Sequence, residues 1–364
     1  MKIKFPEPDL NDFKKVLLRE VKGSRIHCAE LHIDKEILKF LLEDYFGIKW
    51  IEPIDYETQK KAIQNVVNLY YKLGFDTIRL SSDFRFTSNL KFEIPKRETD
   101  DTSLFSKGKR KWAEEKEGVI KNWNDFENYT WPEPEKVDIW VYEYLSEILP
   151  ENMGIFLCIS QGIFETLMFL FGFENLCYLI YDNEEIVKKT SEKIGEIIYK
   201  ATKKFIEKEK IIGIFQGDDM GFKTQMLLPP EFFKKYILPW HKKLSELAHQ
   251  NGKIYVLHSC GNIEPIMDDL INEVEIDAKH SFEDEILPVW KFKEKYGEKI
   301  GIIGGVDIGK LCTLKENDLR KYIRKILEKC AGSGYILGSG NSIANYIPPE
   351  NFIIMLEEGY SFKI

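Results

Sequence analysis

In the stretch "KIYVLHSCGNIEP" (253–265), His258 and Cys260 supply an imidazole and a thiol two residues apart. In an extended strand residues i and i+2 point to one side, so H-x-C at a strand end can offer both groups to one ion. Zinc accepts this mixture of nitrogen and sulfur. The spacing fits equally well a buried cysteine beside a capping histidine, and Gly261 and Asn262 suit a tight turn on either reading. Other reactive side chains follow apolar runs in the same way. Glu30 and His32 close "RIHCAELHI", Ser160 and Gln161 follow "MGIFLCIS", and Asp218 and Asp219 follow "IIGIFQG". His280 ends "EIDAKH", Asp307 ends "KIGIIGGVD", and Ser339 and Asn341 lie in "GSGNSI". Each has an ordinary use as a turn residue or helix cap. Together, at the ends of successive elements, they point to one site.

The elements that must position them are short apolar runs alternating with longer amphipathic segments. Strands are expected over 25–33, 75–81, 153–160, 211–217, 253–259, 275–281, 299–307 and 334–340. Helices are expected over 57–74, stopped by Gly74, over 184–209, and over 229–252 with a break near Pro239. Eight strands alternating with helices imply an α/β chain forming a single (β/α)8 TIM-type barrel over 1–364. In such a barrel the catalytic groups gather at the C-terminal ends of the strands, where these residues lie. Residues 84–135, mixed aromatic and charged with little helical period, read as an insertion after the second strand. It is either a hairpin over the barrel mouth or a solvated loop.

Composition narrows the classes. The 364-residue chain carries a net charge of −8, which argues against a nucleic-acid partner. The N-terminus lacks the apolar run of a secretory signal. The run "IFETLMFLFGFENLCYLIY" is interrupted by Glu165, Gly172, Glu174 and Asn175, so no membrane span is expected. Six scattered cysteines without paired spacing suit a reducing cytoplasm.

These segments resemble the uroporphyrinogen decarboxylase superfamily, and within it the zinc-dependent corrinoid methyltransferases. The likeness is carried by "QGDDMGFKTQMLLPPEFFKKYILPWHKKLSELAHQNGKIYVLHSCGNIEPIMDDLI", "IDAKHSFE", "GIIGGVDI" and "GYILGSGNSIANYIPPENF", with "GIFETLMFLFGFENLCYLIYDNEEIV" upstream and "ELHID" near the start. The resemblance implies the same barrel and assigns His258 and Cys260 to zinc. The family's third ligand is a cysteine near the last strand, where this chain has Asn341, a poorer ligand than a thiolate. Glu30, Asp218, Asp219 and Asp307 are candidates to replace it, or the metal is absent in this branch.

On that resemblance the expected reaction is methyl transfer between a small methylated substrate or a thiol and a corrinoid on a separate partner protein. Zinc would act as Lewis acid. Asp218, Asp219 or Glu30 would handle protons, and His280 would bind the leaving group. Two rivals stand beside it. A metal-free decarboxylase of the same superfamily would need an arginine-rich cavity for its many carboxylates. The chain has eight arginines, and Arg79 and Arg85 are too few and too separated for such a clamp. A non-catalytic ligand-binding barrel would require all the polar strand ends to be turns and caps.

Overall fold

The computed structural model describes residues 5–79, 90–105 and 108–364. Arg85 and the expected end of the second strand at 80–81 lie outside the described residues. Among the described residues nine strands are present: β1 (Thr77–Arg79), β2 (Lys96–Asp100), β3 (Lys109–Ala113), β4 (Gly154–Leu157), β5 (Ile211–Gly217), β6 (Ile254–His258), β7 (Ala278–His280), β8 (Gly301–Ile303) and β9 (Tyr335–Ile336). Seven form one curled parallel sheet in the order β1-β4-β5-β6-β7-β8-β9. Helices cross between consecutive strands, as parallel pairing demands. The fold is that of a TIM-type barrel.

The first expected strand, 25–33, differs from its prediction. It joins the sheet only through isolated bridges, Cys28 to Leu337 and Ile33 to Ile343. On that edge the backbone bonds are real: Ala29 N–H donates to Leu337 O and Leu337 N–H to His27 O. Toward β1, side chains do the joining. The buried Asp76 carboxylate accepts from Arg25 at 2.7 Å, from His27 Nδ1 at 2.7 Å and from the Asp9 amide at 2.6 Å. Arg79 reaches back to Leu31 O (3.1 Å) and Phe215 O (3.0 Å). Its guanidinium is thus committed to joining barrel strands, in keeping with its not being a polyanion clamp.

Alternation along the strands divides the core in two. Phe156, Phe215, Ile254, Val256, Ala278, Ile303 and Ile336 fill the barrel interior, closed from below by Phe13, Val16 and Leu17 of the helix Leu10–Leu17. The intervening residues, such as Tyr255 and Leu257, pack against the outer helices. The expected break near Pro239 falls at Ile237, between helices Pro230–Tyr236 and Leu238–Gln250. The apolar run at 163–182 is two helices meeting at 94°, and no single helix among the described residues is long and apolar enough to cross a membrane.

Within 84–135, β2 and β3 pair as an antiparallel hairpin. Arg110 of the hairpin donates to Asp34 at 3.0 Å, and Asn345 donates to Asp101 at 3.2 Å, tying it to segments that follow the first and last strands. Arg110 and Trp112 line a wide basin together with Asp307, Trp290, Asn341 and Tyr346.

The buried junction at Asp76 carries a prediction. Asp76→Ala removes the buried carboxylate that Arg25 and His27 share, leaving them only Glu7 O and Asp12, and should cost about 3–5 kcal/mol in denaturant unfolding. A loss below about 1 kcal/mol would show that the junction does not hold the first segment in place.

Candidate metal centre

The site begins with strand register. In the parallel ladder Gly217 pairs with His258, and His258 with His280. Ile254 and Val256 face the barrel interior, so the period of two carries His258 inward at the mouth. Ala278 and His280 repeat this on β7, and Phe215, Gly217 and Asp219 share a parity after β5.

Beyond the strand ends two loops are fastened together. Asp218 N–H donates to His258 O (2.9 Å), Gly221 N–H to Cys260 O (3.2 Å), and Asn262 N–H to Phe222 O (2.7 Å). The backbones approach so closely that a Cβ on Gly261 would lie 2.1 Å from the carbonyl carbon of Gly221. Gly261 also sits at φ +77°, a left-handed conformation that glycine adopts without steric cost.

This fastening brings Asp219, His258 and Cys260 together, with one donor atom from each lying within 4.8 Å of the others. Asp219 Oδ1 is 3.3 Å from His258 Nε2 and accepts the Cys260 amide at 2.8 Å. Cys260 Sγ is 3.4 Å from His258 Nε2. Asn341 Nδ2 donates to the same sulfur at 3.1 Å. Burial, and then the charge of Asp219, push the Cys260 thiol well above its ordinary pKa. Burial would also raise Asp219, but bonds from His258 and the Cys260 amide outweigh it and hold that carboxyl low.

His280 lies behind His258. It is fully buried, with Nδ1 2.7 Å from His258 Nδ1 and Nε2 3.1 Å from Ser339 O. Burial, and then the charge of His258, push its pKa well down. Both ring nitrogens of His280, expected to bind a leaving group, are engaged inside the protein, on His258 and on Ser339 O.

Three carboxylates differ from expectation. Asp218, expected to handle protons, is buried and accepts from the amides of Phe164 and Glu165 and from His241 Nε2, which places it at the N-terminus of the helix Ile163–Phe171. Glu30, a candidate ligand, accepts from Ser339 N–H at 2.9 Å and Ser339 Oγ at 2.5 Å, and burial lifts its carboxyl to about 8. Asp307 caps the helix Ile308–Thr313 and accepts the Asp284 amide. Neither belongs to the ligand cluster among the described residues. Ser259, between the two donors, is fully buried and accepts the Met220 amide at 3.1 Å.

Two residues were missed. Burial and the charges of Asp219 and Asp218 push the Glu165 carboxyl well up, and the Asp219 amide donates to it. The signal was a lone acid in an otherwise apolar helical turn. Burial lowers the Lys279 amine to about 8, and Lys279 donates to Ser281 O at 2.6 Å. It was legible only as a lysine inside a strand.

A family model for uroporphyrinogen decarboxylase matches residues 114–361. No curated protein matches the chain in sequence. Among solved structures, a methyltransferase from Methanosarcina mazei is similar with a TM-score of 0.68 at 16% identity, over 97% of this chain and 98% of that one. A B12-independent methionine synthase from Shewanella sp. W3-18-1, in complex with selenomethionine, is similar with a TM-score of 0.55 at 9% identity, over 93% and 97%. At these identities the likeness shows the shared fold.

The loop contact gives a second prediction. Gly261→Ala forces a side chain into a left-handed conformation, costing about 1–2 kcal/mol before the clash with Gly221 is counted. It should also weaken zinc binding by about tenfold or more, because Cys260 and Asp219 move apart. Gly252→Ala is the control: its φ is +65° and no atom lies within 4 Å of the added Cβ. Equal zinc affinity in the two variants, measured by chelator competition, would refute the role given to the loop contact.

Proposed function

The chain belongs to the uroporphyrinogen decarboxylase family, and within it we propose a zinc-assisted methyltransferase that moves a methyl group between a small methylated substrate or thiol and a corrinoid on a separate protein. The observation that carries this reading is the convergence of Asp219, His258 and Cys260 at the barrel mouth. A nitrogen, a sulfur and an oxygen donor on neighbouring loops fit zinc's preferences. Asp219 also answers the difficulty posed by Asn341. One thiolate and one carboxylate together balance the charge of a divalent cation, so a second thiolate is not required for neutrality.

Zinc held there would act as a Lewis acid, lowering the pKa of a bound thiol or polarising a leaving oxygen. The protein's own residues do the rest. Asp219 accepts the Cys260 amide and so fixes the sulfur's backbone against the carboxylate. Asn341 directs an amide N–H at the same sulfur and also lines the wide basin, where a small substrate would sit beside the donors. Trp112, Trp290 and Tyr346 give that basin aromatic walls.

The decarboxylase alternative is disfavoured by the state of the arginines. Arg79 is bonded to Leu31 O, Phe215 O and Cys158 Sγ, and Arg110 is paired with Asp34. One structural neighbour is named a methyltransferase and another a methionine synthase that works without B12, so their names support methyl transfer in common. The choice of a corrinoid rests on the resemblance of the motifs around His258 and Asn341.

The test is a methyl-transfer assay between cobalamin and candidate thiols or methylated compounds, followed by cobalamin absorbance, with zinc measured in the same samples. Cys260→Ser and Asp219→Asn should each lower zinc content and methyl transfer together, since a hydroxyl and an amide are weak zinc ligands. Asn341→Cys should raise zinc affinity, because position 341 already reaches the Cys260 sulfur. Full activity in Cys260→Ser, or turnover of uroporphyrinogen at a decarboxylase's rate, would overturn the proposal.

A further inference from the structure

Behind the donor cluster lies a chain of hydrogen bonds that ends in a group able only to accept. The Ser339 carbonyl oxygen is 3.1 Å from His280 Nε2, so that nitrogen carries a proton. His280 is fully buried and surrounded by Phe215, whose ring meets it edge-on at 5.5 Å, and by Gly304. A Cβ on Gly304 would lie 2.4 Å from Ser339 O and 3.0 Å from His280 Nε2, so the glycine leaves room for that bond. The carbonyl is itself held in place, because the amide and hydroxyl of Ser339 both donate to Glu30.

A neutral His280 protonated at Nε2 has a lone pair on Nδ1. The facing atom, 2.7 Å away, is His258 Nδ1, which must then supply the proton. His258 is left with Nε2 as its variable nitrogen, and Nε2 is the atom beside Asp219 Oδ1 and Cys260 Sγ. Resting on the zinc reading above, we infer that His280 is a positioning residue: it fixes the proton of His258 on Nδ1 and so reserves Nε2 for the metal. Glu30 and Ser339 form the outer end of the same device. This gives a role to Glu30 and His280, neither of which is among the three donor residues. A metal-binding histidine generally needs its other ring nitrogen held by a partner, and loss of such a partner costs 10- to 100-fold in metal affinity. Here the partner is an acceptor imidazole where a carboxylate or carbonyl would be usual.

Two measurements test this. In the first, nitrogen-15 NMR of histidine-labelled, metal-free protein reads the ring tautomers directly. The expected spectrum has neutral His280 protonated at Nε2 and His258 protonated at Nδ1; His280 protonated at Nδ1 would overturn the inference. In the second, zinc affinity is compared by chelator competition across variants. His280→Leu removes the acceptor and should weaken zinc about 10- to 100-fold. His280→Asn places a carbonyl near the position of Nδ1 and should restore affinity to within a few-fold of wild type. Equal zinc affinity in the Leu variant would overturn the inference. Wild-type protein that takes up no zinc, with the expected tautomers present, would instead overturn the zinc reading on which it rests.

Discussion

The contact between the backbones of Gly221 and Gly261 is the constraint on which the site depends. Parallel pairing places β5, β6 and β7 side by side, but it brings only His258 and His280 to the mouth. Cys260 and Asp219 lie beyond the last ladder bonds. They meet because their loops are locked by Gly221 N–H to Cys260 O and Asn262 N–H to Phe222 O. Any side chain at 261 would wedge those loops apart. The same lock makes Ser259 structural, since its hydroxyl satisfies the Met220 amide in the buried seam.

Electrostatics follow from that geometry. Asp219, Glu165 and the Cys260 sulfur gather in a partly buried cluster, and their pKa values diverge: the thiol and Glu165 are pushed up while Asp219 is held down. Such crowding of acids is costly unless a cation offsets it. Lys279 supplies one nearby, although its own burial pulls its pKa down to about 8. The zinc proposed for this site would supply a second cation among the three donors.

Much of this was legible in the sequence because strand alternation is a strict rule. The H-x-C spacing put His258 and Cys260 on one side, and the two lie 3.4 Å apart with Asn341 3.1 Å from the same sulfur, although the loop and not the strand ladder holds Cys260 there. Counting two residues on from Phe215 through Gly217 would also have favoured Asp219 over Asp218. The barrel class followed from the alternation of apolar runs and amphipathic helices, which seven regular strands bear out. What stayed hidden depends on tertiary contacts. Residues 25–33 read as a strand, but side chains of Asp76 and Arg79 replace ladder bonds along one edge. Glu30 and Asp307 were attractive as ligands, yet Ser339 and a helix N-terminus had already claimed their oxygens. No local pattern reveals that.

Zinc-edge X-ray absorption on the zinc-loaded wild-type protein tests the central claim most directly. The account predicts a first shell with one sulfur at about 2.3 Å and nitrogen or oxygen ligands at about 2.0–2.2 Å, with the sulfur contribution lost in Cys260→Ser. A shell of nitrogen and oxygen alone, unchanged by that substitution, would contradict it.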